Sequence, residues 1–313
     1  MSRIIGDRKE QSALEEMMEV SRQMNEEVAE ETRKEEERRA KREAERKSKE
    51  DSKGTPLAEA PSVMQPSLGE IIRVCRKLVY KADHEVIEEI YKRYVPNPRY
   101  DKTYQNMKGY YRDKVTKNKR IYRIHITDRG LTGGLPDSIG RLTALEELDV
   151  YEVKLKRLPD SIGNLAALKR LHVGMNELTE LPDSIGNLKS LEWMAAGDKL
   201  EKLPETIGNL GKLQMLLIWG NCLTELPESI GGLSSLVNLS VSKNRITSLP
   251  DSMNKLKNLI ILEIADNPIT HLPGYLARLP ALKRLKVDED KLDEESKRLI
   301  KRLKKKGVEI PQY

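Results

Sequence analysis

The sequence predicts an α/β solenoid in which a curved parallel sheet forms the concave face and short helical turns form the convex face. Two observations predict it. A segment such as LPDSIGNLAALKRLHVGMNELTE recurs eight times, and successive copies start 22 to 24 residues apart. Aromatic residues make up 4% of the chain and Phe is absent, so the core must consist mainly of Leu, Ile and Val. Because one copy cannot bury its leucines alone, the copies must stack along a continuous core.

Each part of the pattern LxxLxVxxNxLxxLPxxIGxLxx has a structural role. The alternation in LKRLHV predicts a short strand with one buried face. The Asn after the strand can satisfy backbone groups of neighbouring turns, and four copies carry it as Asn176, Asn221, Asn244 and Asn267. The Pro fixes φ and ends the strand ladder, and the Asp-Ser or Glu-Ser that follows it can cap a short helical turn.

The pattern resembles the leucine-rich repeat, in the intracellular Ras-group-related class whose copies read LPxxIGxL over 23 residues. The resemblance covers residues 121–290, which is more than half of the chain. It implies a scaffold that binds a protein partner, has no enzymatic activity and needs no cofactor, but it does not identify the partner. Some copies depart from the pattern. The Asn position holds Arg129, Val153 and Asp290, and a residue is missing after Gly197, so we expect an irregular turn at 197–199.

Outward-facing strand positions form three rows across the concave sheet, because neighbouring parallel strands lie about 4.8 Å apart. The row at the third position of each copy contains Arg123, Glu147, Arg170, Trp193, Met215, Asn238, Ile261 and Arg284. The row at the fifth position contains His125, Asp149, His172, Ala195, Leu217, Ser240, Glu263 and Lys286. The row at the seventh position of each copy contains Thr127, Tyr151, Gly174, Gly197, Trp219, Ser242, Ala265 and Asp288. Charged residues in the first copies can pair laterally, and each such pair contributes roughly a few tenths of a kcal/mol.

Both tryptophans of the chain fall on this outward face in adjacent copies, and the packing of the repeat does not require them there. A water-facing cluster of aromatic, Met and aliphatic residues with a charged rim has the composition of a protein-binding hot spot. The predicted partner-binding residues are Tyr151, Trp193, Met215, Leu217, Trp219, Val237, Ile260 and Ile261. Two alternatives stay open, since a preceding segment of the chain could cover these residues or they could form a homodimer.

The sequence contains no motif for catalysis or phosphate binding, since GxxxxGK[ST], HExxH, CxxC and GxSxG are all absent. One row resembles a metal site, because it brings His125, Asp149 and His172 together. Its two His lie two strands apart, about 9.6 Å between backbones, which is too wide for easy shared ligation. The sequence therefore predicts neither a metal site nor enzymatic activity in the repeats.

The segment before the repeats has three parts. Residues 1–53 are rich in Glu, Lys and Arg, and an apolar stripe at 14–28 predicts one amphipathic helix over about 9–30. We favour a solvated, partly helical tail over a helix that docks on a partner. Residues 54–66 read as a Pro-bearing linker. Residues 67–120 predict a basic helical module that caps the exposed first strand.

The far end, residues 291–313, predicts a basic amphipathic cap helix over about 292–306, followed by a short tail. Basic residues also dominate 66–120, with 14 Lys and Arg against 7 Asp and Glu. The rival function is therefore a nucleic-acid or ribonucleoprotein component that binds through these side chains. Its possible anionic-partner contacts are Lys92, Arg93, Arg99, Lys117, Lys119, Arg120, Lys301, Lys304 and Lys305. No recognition motif accompanies the charge, so we favour capping as the role of the 67–120 module.

Cysteine usage and the absence of targeting signals indicate a reducing compartment. Cys75 and Cys222 cannot form the dense disulfide framework of a small secreted module. The first residues resemble neither a signal peptide nor a transit peptide, and no run of eighteen apolar residues occurs. We therefore expect a cytosolic or nuclear protein with no transmembrane segment.

Overall fold

The structure is a computed structural model that describes residues 83, 85–87, 89, 90, 121–127, 134–197 and 199–311, without the side chains of residues 125 and 127. The predictions for the tail, the linker and most of the 67–120 module lie outside the described residues. The chain divides into two units, Met1–Gln65 and Pro66–Tyr313, and all the structure described below belongs to the second.

Eight parallel strands form one sheet and follow each other in chain order from β1 to β8. The strands are β1 Arg123–Thr127, β2 Glu147–Tyr151, β3 Arg170–Val173, β4 Trp193–Ala196, β5 Met215–Leu217, β6 Asn238–Ser240, β7 Ile261–Glu263 and β8 Arg284–Lys286. The register pairs equivalent positions of neighbouring copies, so that Trp193 lies between Arg170 and Met215. The predicted solenoid and the predicted rows at the third and fifth positions are therefore confirmed.

The hydrophobic core lies between the sheet and the convex turns. From each strand it takes the side chains that face inward, such as Leu171, Leu216 and Leu262, and from each of the first five turns it takes an Ile such as Ile185 or Ile207. Fully burying one such side chain stabilises the fold by about 1.5–3 kcal/mol. Because these side chains pack between successive copies, the stability of each copy depends on its neighbours.

Short 3-10 helices form the convex face, and seven of them begin directly after the Pro of the LP motif. These seven are Asp137–Arg141, Asp160–Asn164, Asp183–Asn187, Glu205–Asn209, Glu228–Gly232, Asp251–Lys255 and Gly274–Arg278. An eighth, Glu289–Lys291, follows β8. The Pro residue supplies the extended backbone from which each of the seven starts, with φ between −67° and −74°.

The predicted capping of these turns by Asp or Glu side chains is wrong. Pro holds the N-cap position, and none of the seven turns has a side-chain cap hydrogen bond. Two of the acidic side chains bridge copies instead. Glu205 Oε2 accepts from the Ser229 N–H at 3.3 Å, and Glu228 Oε2 accepts from the Ser252 N–H at 3.2 Å. The acidic position thus joins one copy to the next.

A buried ladder of Asn side chains joins the turns at the ends of the inner strands. Asn221 Oδ1 accepts from the Leu200 N–H at 2.9 Å, and its Nδ2 donates to the Ala196 carbonyl at 3.1 Å and the Ile218 carbonyl at 2.9 Å. Asn176, Asn244 and Asn267 make equivalent bonds. Each amide therefore satisfies backbone groups of its own copy and of the preceding one, as the sequence predicts.

The fourth copy, which is one residue short, keeps its backbone hydrogen bonds to the neighbouring copies. Asp198 lies outside the described residues, but backbone pairing continues directly after it. The Glu201 N–H donates to the Thr179 carbonyl at 2.9 Å, and the Cys222 N–H donates to the Leu200 carbonyl at 2.8 Å. Pairing with both neighbouring copies is therefore in place within three residues of the deletion.

We expect Asn221→Ala to lower the free energy of unfolding by about 2 kcal/mol or more, because it leaves buried backbone groups of residues 196, 200 and 218 without their partner. Asn187→Ala is the matched control, since Asn187 is exposed. Urea unfolding of both variants beside the wild type measures the difference. Equal losses of unfolding free energy from the two substitutions would contradict the stabilising role of the Asn ladder.

The glycine of the IG motif permits close stacking of the convex turns. A Cβ atom at Gly186 would lie 2.4 Å from the Thr206 carbonyl oxygen of the next copy. The equivalent distances at Gly140, Gly163, Gly208 and Gly231 are 2.2 to 2.4 Å. The sixth copy has Asn254 at this position, and the following copy replaces the usual Ser with Tyr275, whose hydroxyl donates to the Pro250 carbonyl at 2.8 Å. Glycine thus sets the separation of the inner copies on the convex face.

Gly186→Ala should lower the free energy of unfolding by about 1–3 kcal/mol, because two backbones must move apart to admit the methyl group. Gly274→Ala serves as control, since a Cβ there meets no atom within 4 Å and its φ is not positive. Thermal unfolding of the two variants distinguishes them. If Gly186→Ala were as stable as Gly274→Ala, close backbone approach would not limit stacking.

At the N-terminal end, described residues of a helical segment pack on the first copy. Val86, Ile87 and Ile90 belong to the hydrophobic core. The Ile121 N–H donates to Asp83 Oδ2 at 2.9 Å, just before β1 begins. The capping of the first strand by the 67–120 module stays a prediction, because most of that module lies outside the described residues.

At the C-terminal end, the helix α1 (Glu294–Lys305) closes the solenoid and confirms the predicted cap helix. Its apolar side packs Leu299, Ile300 and Leu303 into the core. The chain then adds a short edge to β8, because the Glu309 N–H donates to the Lys283 carbonyl at 2.8 Å and the Leu285 N–H donates to the Glu309 carbonyl at 2.9 Å. The sequence did not indicate this pairing, which covers an otherwise open strand edge. No helix among the described residues is long and apolar enough to span a bilayer.

Asp293 makes the stability of this end depend on pH. Its side chain accepts from the Ser296 N–H at 2.7 Å and lies 2.8 Å from His271 Nδ1, and these hydrogen bonds lower the pKa of Asp293 to about 2. The pKa of a free Asp is about 3.9. Because the folded pKa is below the unfolded one, the carboxylate stabilises the fold above about pH 4, and this contribution is lost as the pH falls towards 2.

We therefore expect Asp293→Asn to have a lower unfolding free energy than the wild type at about pH 5. The two unfolding free energies should converge between about pH 4 and pH 2. Chemical denaturation at several pH values measures this difference. Asp290→Asn, an exposed position near the same end, is the control and should show little difference at any pH. A deficit in Asp293→Asn that persists unchanged to pH 2 would contradict the assignment.

Candidate protein-binding site

The predicted binding residues lie together on the concave side of the sheet and outside the core. We call seven of them the apolar row: Trp193, Met215, Leu217, Trp219, Val237, Ile260 and Ile261. None belongs to the continuous hydrophobic core, although their strands contribute inward residues such as Met194 and Leu216 to it. The apolar row is therefore a second apolar layer, on the opposite side of the sheet from the core.

The apolar row is less exposed than the sequence led us to expect. Trp193 is 6% exposed, Met215 8% and Leu217 3%, whereas Trp219 and the adjacent predicted residue Tyr151 are half-buried. The expectation of a fully water-facing cluster is wrong in this respect. Trp219 is therefore the most accessible member of the apolar row.

Three rings on neighbouring strands form an aromatic stack that consists of Tyr151, His172 and Trp193. The Tyr151 and His172 ring centroids are 5.1 Å apart, and those of His172 and Trp193 are 5.7 Å apart in an edge-to-face arrangement. His172 Nδ1 lies 3.2 Å from Asp149 Oδ1, which orients the imidazole ring. The stack extends the apolar row towards β2. The three residues stand in different rows of the sheet, so the sequence rows do not show that their rings touch.

Arg170 contacts the aromatic stack through its guanidinium group. Its guanidinium carbon lies 5.2 Å from the centroid of the Trp193 ring, which is a cation–π contact. The neighbouring charges pair with each other, as predicted: Arg123 with Glu147, and Lys169 with Glu146 at 2.9 Å. The hydrogen bond to Glu146 raises the pKa of Lys169. Arg170 is thus the basic residue of this group that contacts an aromatic ring.

The sequence row that resembles a metal site is present in the backbone, since His125, Asp149 and His172 are register partners. Among the side chains that the structure describes, no group of three or more His, Cys, Asp or Glu could hold a metal ion. The His172 and Asp149 pair instead supports the aromatic stack.

Six of the nine possible anionic-partner contacts lie outside the described residues, namely Lys92, Arg93, Arg99, Lys117, Lys119 and Arg120. The other three are exposed on α1. Lys304 Nζ is engaged with Glu289 Oε1 at 2.7 Å, while Lys301 and Lys305 project into solvent. The described part of the chain therefore offers a small basic surface at its C-terminal end.

A family model described as a leucine-rich repeat region matches residues 124–198 and 195–305, which together cover more than half of the chain. The chain belongs to the leucine-rich repeat family. Leucine-rich repeat domains are typically non-enzymatic modules that bind other proteins through extended concave surfaces.

Solved leucine-rich repeat structures resemble the chain over its repeats. A leucine-rich repeat protein of Leptospira interrogans is 32% identical, with a TM-score of 0.55, and the match covers 61% of this chain and 48% of that one. An internalin of Listeria monocytogenes is 23% identical, with a TM-score of 0.50 and coverage of 60% and 53%, and shows the fold alone. The chain thus spans about half the length of these structures. No curated protein matches it.

Proposed function

We propose that the chain is a non-enzymatic scaffold that binds a protein partner on its concave face around Trp193 and Trp219. The observation that carries the proposal is the apolar row itself, whose seven residues lie outside the core that holds the repeats together. The equivalent positions in the first two copies and the last copy hold charged residues such as Glu147 and Arg284. The apolar side chains are therefore a local property of the middle copies and are not needed by the fold.

The composition of the apolar row supports this proposal. Trp, Tyr and Arg are enriched among residues that dominate the energy of protein interfaces, and Trp219 shares the concave face with Tyr151 and Arg170. Space is available beside Trp219, because Gly220 has a φ of +70° and a Cβ atom there would meet nothing within 4 Å. A partner side chain can therefore approach the ring from this side.

Finer assignments follow as parts of the same proposal. The 23-residue LPxxIGxL pattern supports membership of the Ras-group-related class of repeats. The free thiol of Cys222 and the low cysteine content support a cytosolic adaptor that works in signalling. The charged N-terminal tail would add a second partner contact. Concave-face repeats suit these roles because only their outward residues need to change.

Trp219→Ala should leave the chain folded, because the ring lies outside the core, and should weaken partner binding by about 2 kcal/mol or more. The measurement is a pull-down from native lysate with mass spectrometry, followed by titration calorimetry with the protein that is captured. Lys212→Ala is the control, since Lys212 is exposed on a turn outside the strands. Unchanged affinity of Trp219→Ala would refute this site.

The same pull-down at high and low salt distinguishes the rival functions. Loss of one protein from a Trp193→Ser, Trp219→Ser double variant at both salts supports the concave site. If the double variant keeps every partner and high salt removes them, the basic residues bind the partner, as expected for a nucleic-acid or ribonucleoprotein component. Sedimentation of the wild type at several concentrations tests the homodimer.

A further inference from the structure

Arg170 differs from the other charged residues at the start of the concave rows. Arg123 and Lys169 form salt bridges with Glu147 and Glu146. Arg170 is exposed and forms neither a salt bridge nor a hydrogen bond with any residue that the structure describes. Its cross-strand neighbour Glu147 is already engaged with Arg123. The Arg170 charge is therefore available to a ligand.

The contact with Trp193 prepares Arg170 for such a ligand. A guanidinium is planar, and stacking on an aromatic ring uses its face while its N–H donors stay at the edges. The ring also limits the motion of the long side chain, which reduces the entropy that binding must remove. The guanidinium carbon lies 5.2 Å from the Trp193 centroid, so the side chain is held beside the apolar row before a partner arrives.

Trp193 itself carries an unused donor. The side chain is 6% exposed, and its Nε1 atom is buried with no acceptor among the described residues. A buried N–H without an acceptor is unfavourable, and buried Trp side chains usually find one. Because it is buried, this N–H is out of reach of a partner group, and the Trp193 ring serves as the surface against which the Arg170 guanidinium lies. The guanidinium itself carries a fork of N–H donors and one positive charge, which match a carboxylate.

We infer that Arg170, held against the Trp193 ring, recognises a carboxylate of the partner, the side chain of an Asp or Glu within a linear segment that lies across the concave sheet. This inference rests on the proposed function of the apolar row. A phosphate group is a poorer match, because it carries nearly two negative charges and Glu147 and Asp149 lie on the strand next to Arg170. One cation that is not otherwise paired suits a single negative charge.

The spacing of the strands predicts where the acidic residue stands in the segment. Arg170 lies on β3, and the half-buried Trp219 follows β5, two strands away. Two strand spacings amount to about 9.6 Å, which an extended chain covers in about three residues. The recognised segment should therefore have an Asp or Glu about three residues from an apolar residue that packs on Trp219.

The test uses a phage-displayed library of random twelve-residue peptides, selected on the full-length chain. On the wild type we expect enrichment of an acidic residue about three positions from a large apolar one. Peptides selected on Arg170→Gln should no longer be enriched in the acidic residue but should still be enriched in the apolar one. Arg284→Gln is the matched control, because Arg284 is an exposed Arg of the same row on β8 and its loss should change neither preference.

A double-mutant cycle then assigns the contact. For one selected peptide, replacing its Asp or Glu by Asn or Gln should weaken binding to the wild type by about tenfold or more, and should have little effect on binding to Arg170→Gln.

The outcomes separate this inference from the proposed function. Apolar enrichment without an acidic residue, or an acidic preference that survives Arg170→Gln, would overturn the carboxylate site and leave the apolar row supported. Absence of any enrichment, or enrichment that is unchanged in the Trp193→Ser, Trp219→Ser double variant, would overturn both. The carboxylate site and the proposed function are both supported if Arg170→Gln removes the acidic preference and the double variant changes the apolar enrichment.

Discussion

The stacking of one repeat on the next is the constraint on which the whole structure depends. It is maintained on two sides of the solenoid. At the strand ends, Asn244 Oδ1 accepts from the Leu223 N–H at 3.1 Å while its Nδ2 donates to the Ile218 carbonyl at 3.0 Å. On the convex face, Gly208 approaches the next turn so closely that a Cβ atom would lie 2.2 Å from the Ser229 carbonyl. The outward positions of every strand are consequently held in fixed rows.

This separation of structural and variable positions explains how a repeat domain can bind a partner without losing its fold. Inward residues, ladder asparagines and turn glycines hold the copies together, so the outward residues are free to vary. The fourth copy shows how far this goes, because it lacks one residue and the ladder asparagine, yet Asn221 of the next copy still reaches Leu200. Trp193 lies in that copy. A departure from the repeat and the start of the apolar row thus coincide, and the stacking accommodates both.

Much of this arrangement could be predicted from the sequence, because it repeats. Strand positions, row neighbours and the role of Asn221 follow from a period that recurs eight times. Features that depend on a single neighbour could not be predicted. The sequence predicts that Asp-Ser caps the turns, whereas Pro182 and its equivalents hold the N-cap position. Glu309 pairs with β8 without any periodic signal, and row order alone does not show that His172 touches Trp193 or that the apolar row is so largely buried.

The most direct test of the account is oxidative footprinting of the wild-type chain, alone and with the protein it captures, read by mass spectrometry at Trp219 and Tyr151. Met253, which is fully buried in the core, serves as the internal reference. The account predicts that the partner lowers oxidation of Trp219 and Tyr151 and leaves Met253 unchanged. Oxidation of Trp219 that stays the same while residues of α1 become protected would contradict it, because the partner would then bind the basic end of the solenoid.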